Sequence, residues 1–239
     1  MEELTGRVAV VTGAAGGIGR AVAVALGRLG MVVALVGRTR ESLEAVAAEL
    51  AGRGRVFPCD LTDDAQVADL AGRVEREAGG ADLVVHSAAV YFQEPLETAP
   101  VEAFDQQYRI NLRAPYLLTQ ALLPQLKRRR GQVVFVNSST GVSPRPFVTQ
   151  YAAVKHGLRG MADAFRMEMA DAGTGVRVIS VFPGQTATPM QERRYAIEGK
   201  PYRPEKLIQP ADVAAALVNA VTLPRTAQIT DVHVRPFGS

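Results

Sequence analysis

The sequence contains a single cysteine, Cys59, among its 239 residues, and this scarcity excludes two kinds of site. A chain with one thiol forms no intrachain disulfide and builds no thiol-rich metal centre. In the apolar context "RVFPCDL" we expect Cys59 to be a small buried hydrophobic residue. The sequence therefore predicts neither a disulfide framework nor a metal site.

Long apolar runs and dense clusters of charge are also missing. No segment approaches the roughly 20 apolar residues of a membrane-spanning helix, and the chain opens on acidic residues instead of a basic, apolar secretory signal. The formal net charge is only +3, and the one basic run, "KRRR" at 127–130, has no interleaved aromatic residues to stack on bases. We interpret that run as the solvated end of a helix. We expect a cytoplasmic protein without a membrane or nucleic-acid partner.

Short β-branched runs alternate with longer amphipathic stretches along most of the chain. The runs are "RVAVV", "MVVALV", "RVFPC", "ADLVVH", "GQVVFVN", "VRVISVF" and "ITDVHVRP", and a long helical stretch reaching Leu126 follows the fourth. Strands that are apolar throughout are buried on both faces, and parallel neighbours need a helical crossover. The pattern predicts an α/β fold, a Rossmann-like doubly wound parallel sheet with helices on both faces in three layers, as a single domain over residues 1–239.

One stretch interrupts this alternation. Residues 191–210 are polar, basic and proline-bearing, and the stretch is too long for an ordinary connection between a strand and a helix. We predict a substrate lid at about residues 190–208.

The stretch "TGAAGGIG", Thr12–Gly19, follows the first apolar run and contains four glycines. A strand, a glycine turn and the start of a helix together point free N–H groups at a phosphate. The stretch is not a P-loop, because Ile18, Gly19 and Arg20 stand where Lys and Ser or Thr would be required. Its glycines are spaced G-x-x-x-G-x-G, a shifted form of the common dinucleotide fingerprint, and a tight corner without a ligand is the alternative.

The end of the second strand indicates which dinucleotide would bind. About twenty residues after the glycine turn, an acidic residue usually accepts hydrogen bonds from a free ribose hydroxyl. Here Gly37 and Arg38 stand at that point, and the planar fork of donors of Arg38 suits a phosphate. We therefore predict NADP(H) and not NAD; the alternative is that Arg38 is a solvated flank of the next helix, with Arg40 as a second cation nearby.

The segment "YAAVK" places Tyr151 and Lys155 on one face of a helix. An ammonium near a phenol favours the phenolate and lowers the pKa of tyrosine from its usual value of about 10. Ser138, in "FVNSSTG" at the end of the fifth strand, would bring a hydroxyl to the same crevice. The three residues are candidates for acid–base chemistry.

These motifs, in this order along almost the whole chain, resemble the short-chain dehydrogenase/reductase family of the single-domain type. "CDLTD", "INLRAPY" and "FPGQTATPM" fit further family segments. The resemblance implies the catalytic residues Asn111, Ser138, Tyr151 and Lys155. It also implies that the cofactor is bound by Gly13, Gly17, Ile18, Gly19, Arg38, Asp60, Leu61, Ser87, Ala88, Tyr151, Lys155, Pro183, Gly184, Thr186 and Thr188.

The resemblance also implies roles. The reaction would be a hydride transfer between NADPH and a small carbonyl or alcohol substrate, with Tyr151 donating a proton to the carbonyl oxygen and Ser138 hydrogen-bonding that oxygen. Lys155 would hold the ribose and lower the pKa of Tyr151, and Asn111 would keep a water in line with Lys155. Related reductases are often tetramers or dimers, which implies a homo-oligomer.

Two departures from the family pattern bear on these expectations. "HSAA", beginning at His86, replaces the usual Asn-Asn-Ala-Gly, and we expect His86 to face inward and replace a structural hydrogen bond of asparagine. The carboxyl end lacks the Asp-Gly-Gly common among acyl-carrier-protein reductases, which counts against a 3-oxoacyl thioester reductase without removing that alternative.

Functions besides carbonyl reduction are also compatible with these motifs. A catalytically silent NADP-binding regulator or scaffold would keep the fold. A dehydratase or isomerase of the same superfamily is a further alternative, although its sugar-nucleotide members usually have a longer substrate-binding region than this chain offers. The substrate is not named by the sequence. Arg145, Arg193 and Arg194 could meet an anionic substrate, although solvated lid charges are the simpler interpretation.

Overall fold

The chain, described here as a computed structural model over residues 3–237, is built on a seven-stranded sheet. The outermost residues of the predicted domain, 1–2 and 238–239, lie outside the described range. The strands are β1 Val8–Thr12, β2 Val32–Gly37, β3 Gly54–Pro58, β4 Leu83–His86, β5 Gln132–Val136, β6 Arg177–Pro183 and β7 Asp231–Val234. The helices are α1 Gly17–Arg28, α2 Arg40–Ala48, α3 Asp64–Ala78, α4 Val101–Tyr108, α5 Ala114–Arg129, α6 Thr149–Asp171, α7 Pro189–Ile197 and α8 Pro210–Val221. None of the helices in this range has both the length and the apolar character needed to cross a bilayer.

The strands lie in the order β3-β2-β1-β4-β5-β6-β7, and every neighbouring pair is parallel. The chain runs outward from β1 to β3 and then returns, so the direction of winding reverses between β1 and β4, where Thr12 pairs with His86. This confirms the predicted doubly wound parallel sheet. Ligands of such sheets bind beyond the carboxyl ends of the strands at the reversal.

Successive strand residues face opposite layers of helices, which produces two apolar cores. Val11, Leu35 and Val85 face the core formed with α1, α2 and α8, whereas Val10 and Val84 face the core formed with α3, α5 and α6. Nearly all strand residues from β1 to β6, β3 excepted, are therefore buried, and most of them are apolar. This arrangement confirms the three-layer prediction and explains why the strand segments show no alternation of polar and apolar residues.

Cys59 lies at the end of β3 in the second of these cores, which confirms that it is a buried hydrophobic residue. Burial raises the pKa of its thiol to about 11. The basic run also lies as expected, because α5 ends at Arg129 within it.

The helical structure differs from the sequence prediction in two places. Residues 87–100 after β4 are irregular, because Pro95 and Pro100 lack the N–H that a continuous helix requires, and α4 starts only at Val101. A π-helical turn, Arg109–Arg113, then separates α4 from α5. The polar stretch before Pro210 contains most of α7, whose first turn is capped by the Thr188 hydroxyl accepting the N–H of Gln191 at 3.3 Å.

His86 faces inward at the end of β4, as expected. Its Nε2 lies 2.8 Å from the hydroxyl oxygen of Thr119, and its ring stacks on Phe135 with a centroid distance of 5.0 Å. Burial lowers the pKa of the imidazole to about 3, so the side chain is neutral across the physiological range. His86 therefore serves as a structural residue.

We expect His86 to make the folded protein sensitive to acid. Between pH 6.5 and about 3 the unfolded chain increasingly binds a proton at this histidine and the folded chain does not, so stability falls as pH falls, with a slope that approaches about 1.4 kcal/mol per pH unit below about pH 5.5. In urea titrations at pH 6.5, 6.0, 5.5 and 5.0, His86→Asn should lose this slope.

The exposed His156 on α6 provides the matched control for this measurement. His156→Asn should keep the slope of the unmodified protein. Equal slopes for His86→Asn and the unmodified protein would show that the His86 imidazole takes up a proton in the folded state.

Candidate active site

A cavity of about 560 Å³ opens at the carboxyl edge of the sheet, where the winding reverses. We call it the central cavity. Most of the site residues proposed from the sequence line it: Gly13, Gly17, Ile18, Gly19, Arg38, Ser87, Ala88, Ser138, Tyr151, Lys155, Pro183, Gly184, Thr186 and Thr188. The ends of β1, β2, β4, β5 and β6 thus converge on one space, as parallel strands require.

The glycine turn between β1 and α1 forms one side of the central cavity. A Cβ on Gly19 would overlap the carbonyl oxygen of Gly13, and a Cβ on Gly13 would lie 2.8 Å from Cα of Ala88. Gly13 also has φ +66°, in the left-handed region that favours glycine. Side chains are therefore excluded at Gly13 and Gly19 by the packing of the turn, and its main chain faces the cavity.

Thr12 connects the glycine turn to the loop after β4. Its hydroxyl oxygen accepts the N–H groups of Ser87 and Ala88, each at 3.1 Å, and its hydroxyl donates to the carbonyl of Val85 at 3.4 Å. The side chain is buried and lies at the split between β1 and β4. Thr12 therefore holds the end of β1 and the loop after β4 together at the base of the central cavity.

Arg38 lies at the end of β2, on the rim of the same cavity. Its side chain is exposed, and within residues 3–237 it makes no hydrogen bond or ion pair. The neighbouring Arg40 instead pairs with Glu44 one helical turn away, at 3.5 Å. Of these two cations, Arg38 is the one placed for an anionic ligand.

Ser138, Tyr151 and Lys155 meet on the opposite side of the cavity. Tyr151 lies in the first turn of α6, and the side chain of Ser138 lies close enough to its hydroxyl to act on its pKa. The Nζ of Lys155 donates to the carbonyl oxygen of Val136 at 3.1 Å and lies 5.7 Å from the centre of the Tyr151 ring. Tyr151 is 7% exposed and Lys155 is 1% exposed.

The expectation that Lys155 lowers the pKa of Tyr151 does not hold in this structure. Burial raises the pKa of Tyr151 to about 12, against the opposing effect of the Ser138 side chain. Burial also lowers the pKa of Lys155 to about 7, so its amine is only partly protonated at neutral pH. The cost of burying a charge therefore dominates the pKa of both groups.

Asn137 lines the central cavity and was not among the residues proposed from the sequence. Its side-chain NH₂ donates to the carbonyl oxygen of Lys155 at 3.1 Å, and its side-chain oxygen accepts the N–H of Ser138 at 2.9 Å. The amide thereby joins the end of β5 to α6 and holds Ser138 beside Tyr151. The available signal was a polar residue directly after an apolar strand and directly before the candidate serine.

Three of the proposed site residues lie outside the lining of the central cavity: Asp60, Leu61 and Asn111. The carboxylate of Asp60 accepts the N–H and the hydroxyl of Thr62. Asn111 lies in the π-helical turn, and its side chain both donates to and accepts from the main chain of Val90, at 2.8 Å each. The side chains of Asp60 and Asn111 thus support nearby loops, and Leu61 packs against the core formed with α3, α5 and α6. The roles of the three residues in cofactor binding or proton relay stay predictions.

Arg194 on α7 corrects the interpretation of the lid charges as solvated. It is only 8% exposed, and its Nε lies 2.7 Å from a carboxylate oxygen of Glu198. Burial opposes ionisation of Glu198, but hydrogen bonds from Lys200 and Arg194 lower the pKa of that carboxyl to about 2. The charge of Arg194 is therefore already compensated within the protein.

Comparison with known proteins identifies the family. The model of the short chain dehydrogenase family matches residues 7–198. The chain belongs to the short-chain dehydrogenase family. This membership confirms the resemblance drawn from the motifs, and the chain is an oxidoreductase of that family.

Individual relatives match along nearly their whole length. An uncharacterized oxidoreductase of Staphylococcus epidermidis is 31% identical over 237 residues, which cover 99% of this chain and 100% of that protein. The D-beta-hydroxybutyrate dehydrogenase of Rhizobium meliloti is 30% identical over 253 residues, which cover 97% of each chain.

Solved structures of short-chain dehydrogenases agree with this assignment. The alcohol dehydrogenase of the archaeon Thermococcus sibiricus, complexed with 5-hydroxy-NADP, superposes with a TM-score of 0.88 at 27% identity and covers 98% of this chain and 97% of that chain. A metagenomic short-chain oxidoreductase in complex with NADP gives a TM-score of 0.84 at 33% identity, covering 98% of this chain and 99% of that chain.

We expect the glycine turn of this short-chain dehydrogenase to reject even a methyl group at Gly19. Gly19→Ala forces the new Cβ onto the carbonyl oxygen of Gly13 and should lower the free energy of unfolding by about 1–3 kcal/mol in urea titrations. Gly16→Ala is the matched control, because φ at Gly16 is −167° and nothing lies within 4 Å of its Cβ position. Equal stabilities for the two variants would contradict the close approach of the main chain.

Proposed function

We propose that this short-chain dehydrogenase is an NADP-dependent reductase that transfers a hydride from NADPH to the carbonyl carbon of a ketone or aldehyde. One observation carries the proposal. Two hydroxyl side chains, Ser138 and Tyr151, line the same cavity as a glycine turn and an exposed arginine, Arg38. One cavity thus combines a proton donor with the features of a dinucleotide site.

The residues present fit this cofactor. The glycine turn leaves main-chain N–H groups free at the start of α1, where the helix dipole favours a pyrophosphate. The guanidinium of Arg38 would contact the 2′-phosphate, and Gly37 leaves room beside it. Support comes from the two solved short-chain dehydrogenases, which were crystallised with NADP or 5-hydroxy-NADP.

The protein's own groups would hold the carbonyl and supply the proton. When bound, the cofactor supplies the hydride that reduces the carbonyl carbon. Tyr151 keeps its proton across the neutral range, since its pKa is raised to about 12, and would donate that proton to the carbonyl oxygen. Ser138 would hydrogen-bond the same oxygen, and Lys155 would hold the ribose. The segment 190–208, whose first residues line the cavity, is the proposed substrate lid.

The proposal predicts that removal of one oxygen atom stops turnover. We expect the chain to consume NADPH with at least one member of a panel of ketones, aldehydes, quinones and β-ketoacyl thioesters, and Tyr151→Phe to lower kcat about 10²- to 10⁴-fold. NADPH fluorescence should show nearly unchanged cofactor binding in the variant. Tight NADPH binding without turnover on any carbonyl would instead favour a silent NADP-binding regulator.

Cofactor preference tests Arg38 directly. Arg38→Gln removes one charged contact to the 2′-phosphate and should lower the ratio of NADPH to NADH affinity about 10- to 100-fold, measured by fluorescence titration. Arg40→Gln is the matched control, because the Arg40 guanidinium is paired with Glu44 on α2. A preference for NADH in the unmodified protein would overturn the assignment of Arg38.

A further inference from the structure

The charges that line the central cavity are all of one sign. Within the described residues, its lining contains five cationic side chains and no carboxylate. The cations are Arg38, Arg145, Lys155, Arg193 and Arg194. A cavity with this lining attracts anions and concentrates them. NADP is one such anion, but the cations extend beyond the side that the glycine turn forms.

Three of these cations already have a partner or an assigned role. Arg38 lies at the end of β2 near the glycine turn, where the proposed 2′-phosphate would be. Lys155 is buried against the carbonyl oxygen of Val136, and Arg194 is paired with Glu198. Arg145 and Arg193 remain, and within residues 3–237 neither forms an ion pair with a carboxylate.

Arg145 is the better placed of the two, because it is partly buried and held beside the proton donor. Its Nη2 donates to the hydroxyl oxygen of Tyr91 at 3.0 Å, and the ring of Tyr91 packs edge-on against Tyr151 with a centroid distance of 4.9 Å. The Tyr91 hydroxyl in turn donates to the side-chain oxygen of Gln93 at 2.6 Å. Arg193, in contrast, is exposed on α7.

The segment that carries Arg145 is itself anchored to the other wall of the cavity. The main-chain carbonyl of Phe147 accepts the N–H of Glu94 at 3.0 Å, which joins the loop before α6 to the loop after β4. The Tyr91 hydroxyl engages one terminal nitrogen of Arg145, and the guanidinium has further N–H donors in a planar fork. This fork matches the two oxygens of a carboxylate.

We propose that Arg145 binds a carboxylate of the substrate, so that the chain reduces oxo acids to hydroxy acids; this inference rests on the proposed reductase function. Reduction adds one hydride to the carbonyl carbon and one proton to its oxygen, while NADPH is oxidised to NADP⁺ and the carboxylate is unchanged. Tyr91 is a positioning residue, since it acts by holding the guanidinium of Arg145 beside Tyr151.

The test compares short oxo acids with their own methyl esters. The probes are 2-oxobutanoate, 3-oxobutanoate and 4-oxopentanoate, which place the carboxylate at three distances from the carbonyl. The unmodified protein should prefer at least one acid to its ester about 10-fold or more in kcat/KM. Arg145→Gln should lower that acid-to-ester ratio about 10- to 100-fold, chiefly through KM of the acid.

Arg193→Gln is the matched control, because it removes an equal charge from the same cavity. It should change the acid-to-ester ratio less than about 3-fold. An equal effect of both variants would show a general field of positive charge and overturn the assignment to Arg145. Equal losses for acid and ester in Arg145→Gln would also overturn it, since Arg145 would then act only through Tyr91 on Tyr151.

A binding measurement separates this inference from the proposed function. Saturation-transfer NMR on Tyr151→Phe, with and without NADP⁺, reports the binding of each oxo acid without turnover. Binding that Arg145→Gln abolishes would support the carboxylate site even if no carbonyl is ever reduced. Reduction of the esters without Arg145-dependent binding of any acid would overturn the carboxylate site and leave the reductase function intact.

Discussion

The turn between β1 and α1 requires two positions without a side chain, Gly13 and Gly19, because the main chain packs closely at both. An atom added to Gly19 would overlap the carbonyl oxygen of Gly13, and one added to Gly13 would press on Ala88. Thr12 lies beside this contact and joins it to the loop after β4 by accepting two N–H groups. The position of that loop sets the position of Tyr91, and through it the far wall of the cavity. The space available to a cofactor and a substrate therefore depends on this close approach.

Hydrogen bonds to the main chain hold the segments that carry Ser138 and Lys155. Val136 accepts from the ammonium of Lys155, and Asn137 holds both the N–H of Ser138 and the carbonyl of Lys155. These contacts fix the end of β5 next to Ser138 against the part of α6 that carries Tyr151 and Lys155. The same burial moves the pKa values of Tyr151 and Lys155 in opposite directions, up to about 12 and down to about 7. Both shifts favour the neutral form of the group.

The sheet could be predicted from the sequence because strands buried on both faces are continuous apolar runs. The meeting of the glycine turn, Arg38 and Tyr151 could also be predicted, since parallel strands end at one edge. The π-helical turn around Asn111, the polar helix α7 and the buried pair of Arg194 with Glu198 could not. Each depends on what the rest of the fold packs against the segment, and neither periodicity nor composition contains that information. The opposite pKa shifts were missed for the same reason, because spacing on a helix does not reveal burial.

The side-chain amide of Asn137 links the end of β5, next to Ser138, to α6 by hydrogen bonds. Other segments form the walls that would face a substrate. Those walls come from the loop before α6, the loop after β4 and the first turn of α7, which lie outside the contacts that align Ser138 with Tyr151. Residues on them can be exchanged over evolutionary time without breaking the Asn137 link between β5 and α6. Such a frame can diversify in the molecules it accepts while it retains one chemical step.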